Sequence, residues 1–231
     1  MSWRATTMAE VPFQISPAFA VPFVQTQLPG ADSLNPKLRA LFLSREAEGA
    51  VYANINPTMQ IDRNLFESRF DLFHWDDVNV GTLRDFCTAA VFRAVAELNG
   101  YDRERVSRLR MSADAWFHIT RQSGQFGMHN HPMATWSGIY CVDSGYPDGS
   151  PVESARVQFM HPVPGAGSFS DMSVANMRAP WSNRHKEIAL EPGQLVLFPS
   201  WLMHQVLPYR GTGERITVAF NAWFKDLPEA A

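Results

Sequence analysis

The chain has 231 residues, of which 45% are hydrophobic and 19% charged, and its formal net charge is −3. This length can bury a sizeable core, so neither a disulfide nor a structural metal is needed for stability. The slightly acidic balance and the lack of a basic stripe argue against a nucleic-acid partner. The sequence shows neither a membrane-spanning segment nor a signal peptide, and it therefore predicts a cytoplasmic protein with no membrane partner.

The part of the chain before residue 112 contains two helical patterns. The first covers 36–49; it follows an asparagine cap and ends in a glycine. The second covers 82–99, where Thr82 begins a capping box and Gly100 provides the stop. Segment 20–26 is expected to be an edge strand, where its proline is tolerated. One apolar stripe of the second helix is formed by Leu83, Phe86, Ala90, Ala94 and Leu98.

After residue 112 the pattern changes to short strands separated by clusters of Gly, Pro and Asn. Such spacing is typical of an all-β sandwich or barrel. We therefore expect one domain over 1–231, with a helical portion over 1–111 packed against a β core over 112–226. The expected strands are 113–120, 135–142, 155–160, 194–198, 205–207 and 215–224, with weaker candidates within 167–176 and 185–190.

Three histidines are candidate metal ligands. His129 and His131 are two residues apart, so in an extended segment their side chains project to the same side. His204 follows the apolar run 195–199, where it can close a site formed by distant strands. Two alternatives stay open from the residues alone: an isolated H-x-H pair is common in proteins that bind no metal, and a histidine among apolar residues is usually a hydrogen-bonded core residue.

The C-terminal strand carries polar residues on one of its faces. Arg215, Thr217 and Asn221 alternate with apolar residues, so they share the face that would point into the barrel. A buried arginine needs an anionic partner, and a carboxylate matches its planar fork. The partner is either a bound carboxylate ligand, with Thr217 adding a hydroxyl, or an Asp or Glu of the chain itself.

These segments resemble the 2-oxoglutarate- and Fe(II)-dependent oxygenases. The sequence is most similar to a bacterial and phage-type subfamily that has an H-x-H-P motif. The chain carries this motif at 129–132, after Trp116 and Gly124, and S-G-I-Y follows at 137–140. The other motifs are PGQLVLFPSWLMHQV at 192–206 and ERITVAFN at 214–221. The agreement covers roughly the C-terminal half of the chain.

The resemblance implies a mainly β, double-stranded β-helix (jelly-roll) core with N-terminal helices packed against it. It also implies an iron site at His129, His131 and His204. The family usually has a carboxylate where this chain has His131, so His131 is either a third neutral ligand, which we favour, or a residue that contacts a ligand. The implied cofactors are Fe(II), 2-oxoglutarate as cosubstrate, and O2.

The resemblance places the cosubstrate anchor at Arg215, with Thr217 two residues later. Tyr140 is the expected second donor to the same carboxylate, and His118 and Asn221 are expected to line the pocket. The implied activity is oxidation, by hydroxylation, of a small-molecule or amino-acid-like substrate, and homodimerisation is left open. The alternatives are a cupin-type three-histidine metalloenzyme that does not use 2-oxoglutarate, and a non-catalytic ligand-binding barrel.

Overall fold

The computed structural model describes residues 13–57, 64–146 and 154–227. Within these ranges the chain forms the α-helices α1 (Ala31–Ala47), α2 (Val78–Asn99) and α3 (Arg103–Ser107). The strands are β1 (Val24–Gln27), β2 (Leu65–Glu67), β3 (Leu109–Thr120), β4 (Phe126–His129), β5 (Trp136–Asp143), β6 (Val157–Phe159), β7 (Lys186–Ile188), β8 (Gln194–Pro199), β9 (His204–Val206) and β10 (Arg215–Asp226).

The strands form two antiparallel sheets. The larger sheet has the order β1-β8-β5-β10-β3-β2, and the smaller one has the order β4-β9-β6-β7. The predicted mainly β jelly-roll is confirmed. The larger sheet also takes β1 and β2 from the part of the chain before residue 112, where only one strand was expected.

Both predicted helices exist, but each begins earlier than the sequence indicated. Helix α1 starts at Ala31, and Asn35 is a buried helical residue rather than the N-cap. Helix α2 is capped by Asp77, whose carboxylate accepts from two backbone N–H groups, and it ends at Gly100 as predicted. No helix among the described residues is long and apolar enough to cross a bilayer.

The larger sheet has a buried core on each face. Helices α1 and α2 cover one face, where the side chains of Ile216, Val218 and Phe220 from β10 contribute to the core. The other face packs towards the smaller sheet, through residues that include Phe159 and Phe198. Both cysteines are buried free thiols, as predicted.

The weakest strand predictions had different outcomes. Strand β7 lies within 185–190 as predicted, whereas 167–176 contains turns and no strand. Strand β7 pairs with β6 on one side, which gives partners to the backbone groups on that side. Segment 167–176 is exposed, so its backbone can bond to water instead of to a sheet.

Gly138 on β5 lies where a side chain cannot fit. A Cβ atom there would overlap the Phe220 ring and lie 2.9 Å from Leu197 Cδ2. We expect Gly138→Ala to lower the free energy of unfolding by about 1–3 kcal/mol through overpacking. Gly81→Ala in α2 is the control, since its nearest contact would be Arg84 Nη2 at 3.7 Å. Urea unfolding of both variants measures the effect, and equal stability of the two would contradict the expectation.

Candidate metal centre

The three predicted histidines lie together between the two sheets. Strand β4 pairs with β9 so that His129 lies opposite His204, and His131 lies two residues beyond the end of β4. The ring centroid of His129 is 4.3 Å from that of His204, and the ring of His131 is 5.1 Å from each of the other two. One ligand nitrogen from each ring lies within 4.8 Å of the others. This spacing allows the three imidazoles to converge on one ion.

Backbone carbonyls orient two of these rings. His129 Nδ1 lies 2.7 Å from the carbonyl oxygen of Gly127, and His204 Nδ1 lies 2.9 Å from that of Leu202. A neutral imidazole that donates from Nδ1 keeps the lone pair of Nε2 available. The local chain therefore presents Nε2 of both histidines to a metal.

Burial keeps the three histidines neutral. It lowers the pKa of His204 to about 3 and that of His131 to about 4, and in both cases the charge of His129 lowers it further. Burial also lowers the pKa of His129, which its hydrogen bond to Gly127 and the negative charge of Glu67 partly oppose. Neutral imidazole is the form that ligates metals, so the cluster is in its metal-binding state at neutral pH.

Arg215 is buried on the wall of the same cavity, at 5% exposure. Among the described residues, no Asp or Glu forms an ion pair with its guanidinium, and burial lowers the pKa of Arg215. The adjacent carboxylate of Glu214 instead accepts from Arg39 at 2.7 Å. The described part of the chain thus offers no internal salt bridge for Arg215.

The remaining predicted site residues differ in position. Thr217 and His118 are neighbours across the β3–β10 ladder, and both line the cavity. Asn221 shares the face of Thr217 but lies beyond the cavity, where it accepts a hydrogen bond from Ser137 Oγ.

Tyr140 points to the opposite face of β5, and its hydroxyl donates to Asn35 Oδ1 at 2.7 Å. The structure therefore does not bring Tyr140 to Arg215. The expectation that Tyr140 is a second donor to the carboxylate bound by Arg215 is wrong.

The cavity also contains residues that the sequence did not single out as site residues. Glu67 on β2 lies opposite His118, and its Oε2 is 3.1 Å from His118 Nε2. Trp116 Nε1 lies 3.0 Å from the same nitrogen, and its ring packs 6.0 Å from that of His131. The short segment around Glu67 has no periodic pattern, and only its apolar neighbours, Leu65 and Phe66, could have suggested a strand.

Comparisons with known proteins agree with this geometry. A family model described as "Putative 2OG-Fe(II) oxygenase" matches residues 114–221. This segment contains His129, His131, His204 and Arg215. No curated protein matches the chain at a significant level.

Solved structures share the fold at low sequence identity. A prolyl-4-hydroxylase from Pseudomonas putida is 15% identical, with 88% of this chain and 92% of that chain covered and a TM-score of 0.54. AviO1 from Streptomyces viridochromogenes Tue57 is 15% identical, with 92% of both chains covered and a TM-score of 0.57. SnoK, an alpha-ketoglutarate-dependent carbocyclase from nogalamycin biosynthesis, is 11% identical, with 90% and 83% covered and a TM-score of 0.58.

The structure is a jelly-roll whose two sheets enclose three histidines that could hold a metal ion. Over residues 114–221, which are less than half of the chain, the sequence is similar to the 2-oxoglutarate- and Fe(II)-dependent oxygenases. Fe(II), 2-oxoglutarate and O2 are the cofactors of this class. The donor set fits iron, because three imidazoles on one side of an ion leave other positions open.

Proposed function

We propose that His129, His131 and His204 hold the iron and that Arg215 binds the distal carboxylate of 2-oxoglutarate. The observation that carries this proposal is the buried guanidinium of Arg215, which has no carboxylate partner in the described chain and shares a cavity with the three histidines. A carboxylate fits its fork in bidentate fashion, which offsets the cost of burying both charges.

Thr217 is the second group proposed to hold the cosubstrate. Its side chain is 3% exposed and lies on the same face of β10 as Arg215, two residues further along the strand. Side chains at this spacing point in the same direction, so the hydroxyl of Thr217 is positioned to donate to the carboxylate that Arg215 binds. His118, across the ladder from Thr217, forms the adjacent wall.

Aromatic side chains surround the proposed metal ligands. The rings of Phe159 and Phe198 lie 5.6 and 4.9 Å from that of His204, and Phe126 lies 6.2 Å from His129. A dry site strengthens the electrostatic contacts within it. Iron(II), when bound, supplies the redox chemistry that couples decarboxylation of 2-oxoglutarate to substrate oxidation, while the protein binds, orients and excludes water.

The proposed reaction is hydroxylation of a small-molecule or amino-acid-like substrate. One substrate C–H bond, 2-oxoglutarate and O2 give the alcohol, succinate and carbon dioxide. Exposed apolar side chains lie close in sequence to the ligands, namely Trp201 and Met203 before His204 and Met133 after His131. They favour a substrate with an apolar part. The similar structures include a hydroxylase and a carbocyclase, which is consistent with hydroxylation or a related oxidation of the substrate.

The test uses the purified protein with Fe(II) and 2-oxoglutarate, first without oxygen. We expect a weak visible charge-transfer band that needs both components and, after oxygen is added, slow release of succinate. Iron binding without the band or succinate would instead support a three-histidine metalloenzyme that does not use 2-oxoglutarate. A protein that binds no iron would support a non-catalytic barrel. Coupled succinate production then serves to screen for the substrate.

A further inference from the structure

The proposed iron site contains no carboxylate, yet its cavity does. Of the described residues that line the cavity, Glu67 and Arg215 are those with carboxylate or guanidinium groups, and the four histidines there include the three proposed ligands. Glu67 lies on β2 and reaches the cavity from a different strand than any proposed ligand. The cavity thus combines one acidic side chain with a three-imidazole cluster.

The carboxylate of Glu67 is held in place on both oxygens. Asn54 Nδ2 donates to Oε1 at 2.7 Å, and His118 Nε2 lies 3.1 Å from Oε2. The side chain is only 1% exposed. Burying a carboxylate is costly unless hydrogen bonds and nearby positive charge compensate for lost water, and these two contacts contribute to that compensation.

His118 lies beside Glu67 on the cavity wall. Its Nε2 is also 3.0 Å from Trp116 Nε1, and one ring nitrogen cannot both donate to a carboxylate and accept from an indole N–H. An ionised Glu67 favours the tautomer with hydrogen on Nε2. In that tautomer His118 and Asn54 together hold both carboxylate oxygens at the cavity wall.

The charges of the loaded site suggest a role for this group. Fe(II) carries two positive charges, 2-oxoglutarate two negative charges and Arg215 one positive charge, while an imidazole that ligates a metal is neutral. Without a further anion the buried assembly keeps one net positive charge. An ionised Glu67 in the same cavity makes it neutral, and a neutral assembly is less costly to bury.

We propose that Glu67 is the electrostatic partner of the three-histidine iron site and supplies, from the cavity wall, the negative charge that the ligand set lacks. This inference rests on the proposed function. Glu67 is a positioning residue in this scheme: it stabilises the bound Fe(II) through the field in the cavity and holds the ring of His118, and it makes no bond to the metal.

The test measures the anaerobic Fe(II) affinity of the apo protein at fixed pH and ionic strength. Glu67→Gln keeps the shape and the acceptor for Asn54 but removes the charge. We expect it to weaken Fe(II) binding by about tenfold or more, because a unit charge is poorly screened in a buried cavity. The reduction potential of the bound iron should rise, since the more highly charged ferric state loses more stabilisation. If Glu67 had only a structural role, Glu67→Gln would leave the reduction potential of the bound iron unchanged.

Two further variants complete the design. Glu46→Gln is the matched control, since it removes a carboxylate that pairs with Arg121 and does not line the cavity. Asn54→Lys places a positive charge beside Glu67 from a half-buried loop position, and it should weaken Fe(II) binding in the same direction. If Glu67→Gln does not fold, the Fe(II) affinity of Asn54→Lys decides whether the inference stands.

The outcomes separate this inference from the proposed function. Loss of affinity in Glu67→Gln and Asn54→Lys, with Glu46→Gln unchanged, supports the inference. Affinities of all three variants within about threefold of a wild type that does bind Fe(II) overturn it and leave the proposed function intact. A wild-type protein that binds no Fe(II) overturns both.

Discussion

His204→Ala is expected to abolish Fe(II) binding and succinate formation while leaving the protein folded. His204 is 2% exposed, and its ring is the one nearest to that of His129. Loss of a direct ligand should lower the metal affinity by at least about 100-fold, because even residues that only orient a ligand contribute 10- to 100-fold. Anaerobic Fe(II) titration and a succinate assay measure these losses, and circular dichroism checks the fold.

His74→Ala provides the control for this substitution. His74 is exposed and lies in a short helical turn after β2, outside the cavity. The same change there should leave both iron binding and activity at the wild-type level. Retention of Fe(II) affinity by His204→Ala would remove this residue from the proposed ligand set.

The convergence of the three histidines could be predicted only in part. The i, i+2 spacing of His129 and His131 indicated one shared side, and the structure brings both rings to one cluster. The opposition of His129 and His204 depends on the pairing of β4 with β9, which are separated by 74 residues or more of chain. No local pattern encodes such a register, and the resemblance to a family supplied it.

The face of a strand was predictable where one face carried polar residues. On β10 the alternation of Arg215 and Thr217 with apolar residues gave the correct inward face. On β5 most positions on both faces are buried and apolar residues occur on both, so the alternation carries no signal. The side chain of Tyr140 could therefore not be assigned to a face from the sequence.

Short elements with mainly long-range contacts were missed. Strand β2 has three residues, and its pairing with β3 places Glu67 beside His118. The start of α1 was predicted too late because Asn35 resembles a cap, whereas it is buried and accepts from Tyr140. In both cases tertiary contacts outweigh the local preference.

Arg215→Met is expected to raise the 2-oxoglutarate concentration needed for half-maximal succinate formation by at least about 30-fold, because truncating one partner of a buried charge pair costs about 2–5 kcal/mol. Fe(II) affinity in the absence of 2-oxoglutarate should be retained. Methionine keeps most of the side-chain volume and removes a buried charge that has no carboxylate partner in the described chain. The apo protein should therefore unfold at the same or a higher temperature than the wild type.

Arg215→Lys and Arg93→Met separate the contributions to this effect. Lysine keeps the charge but loses the planar fork, so we expect a smaller rise in the 2-oxoglutarate requirement than with methionine. Arg93 is an exposed residue of α2 that pairs with Glu97, and its replacement should change neither the requirement nor iron binding. Unfolding of the Arg215→Met protein at low temperature would instead mean that the guanidinium has a structural partner within the chain. The cosubstrate assignment would then fail, because the charge would already be compensated before any ligand enters.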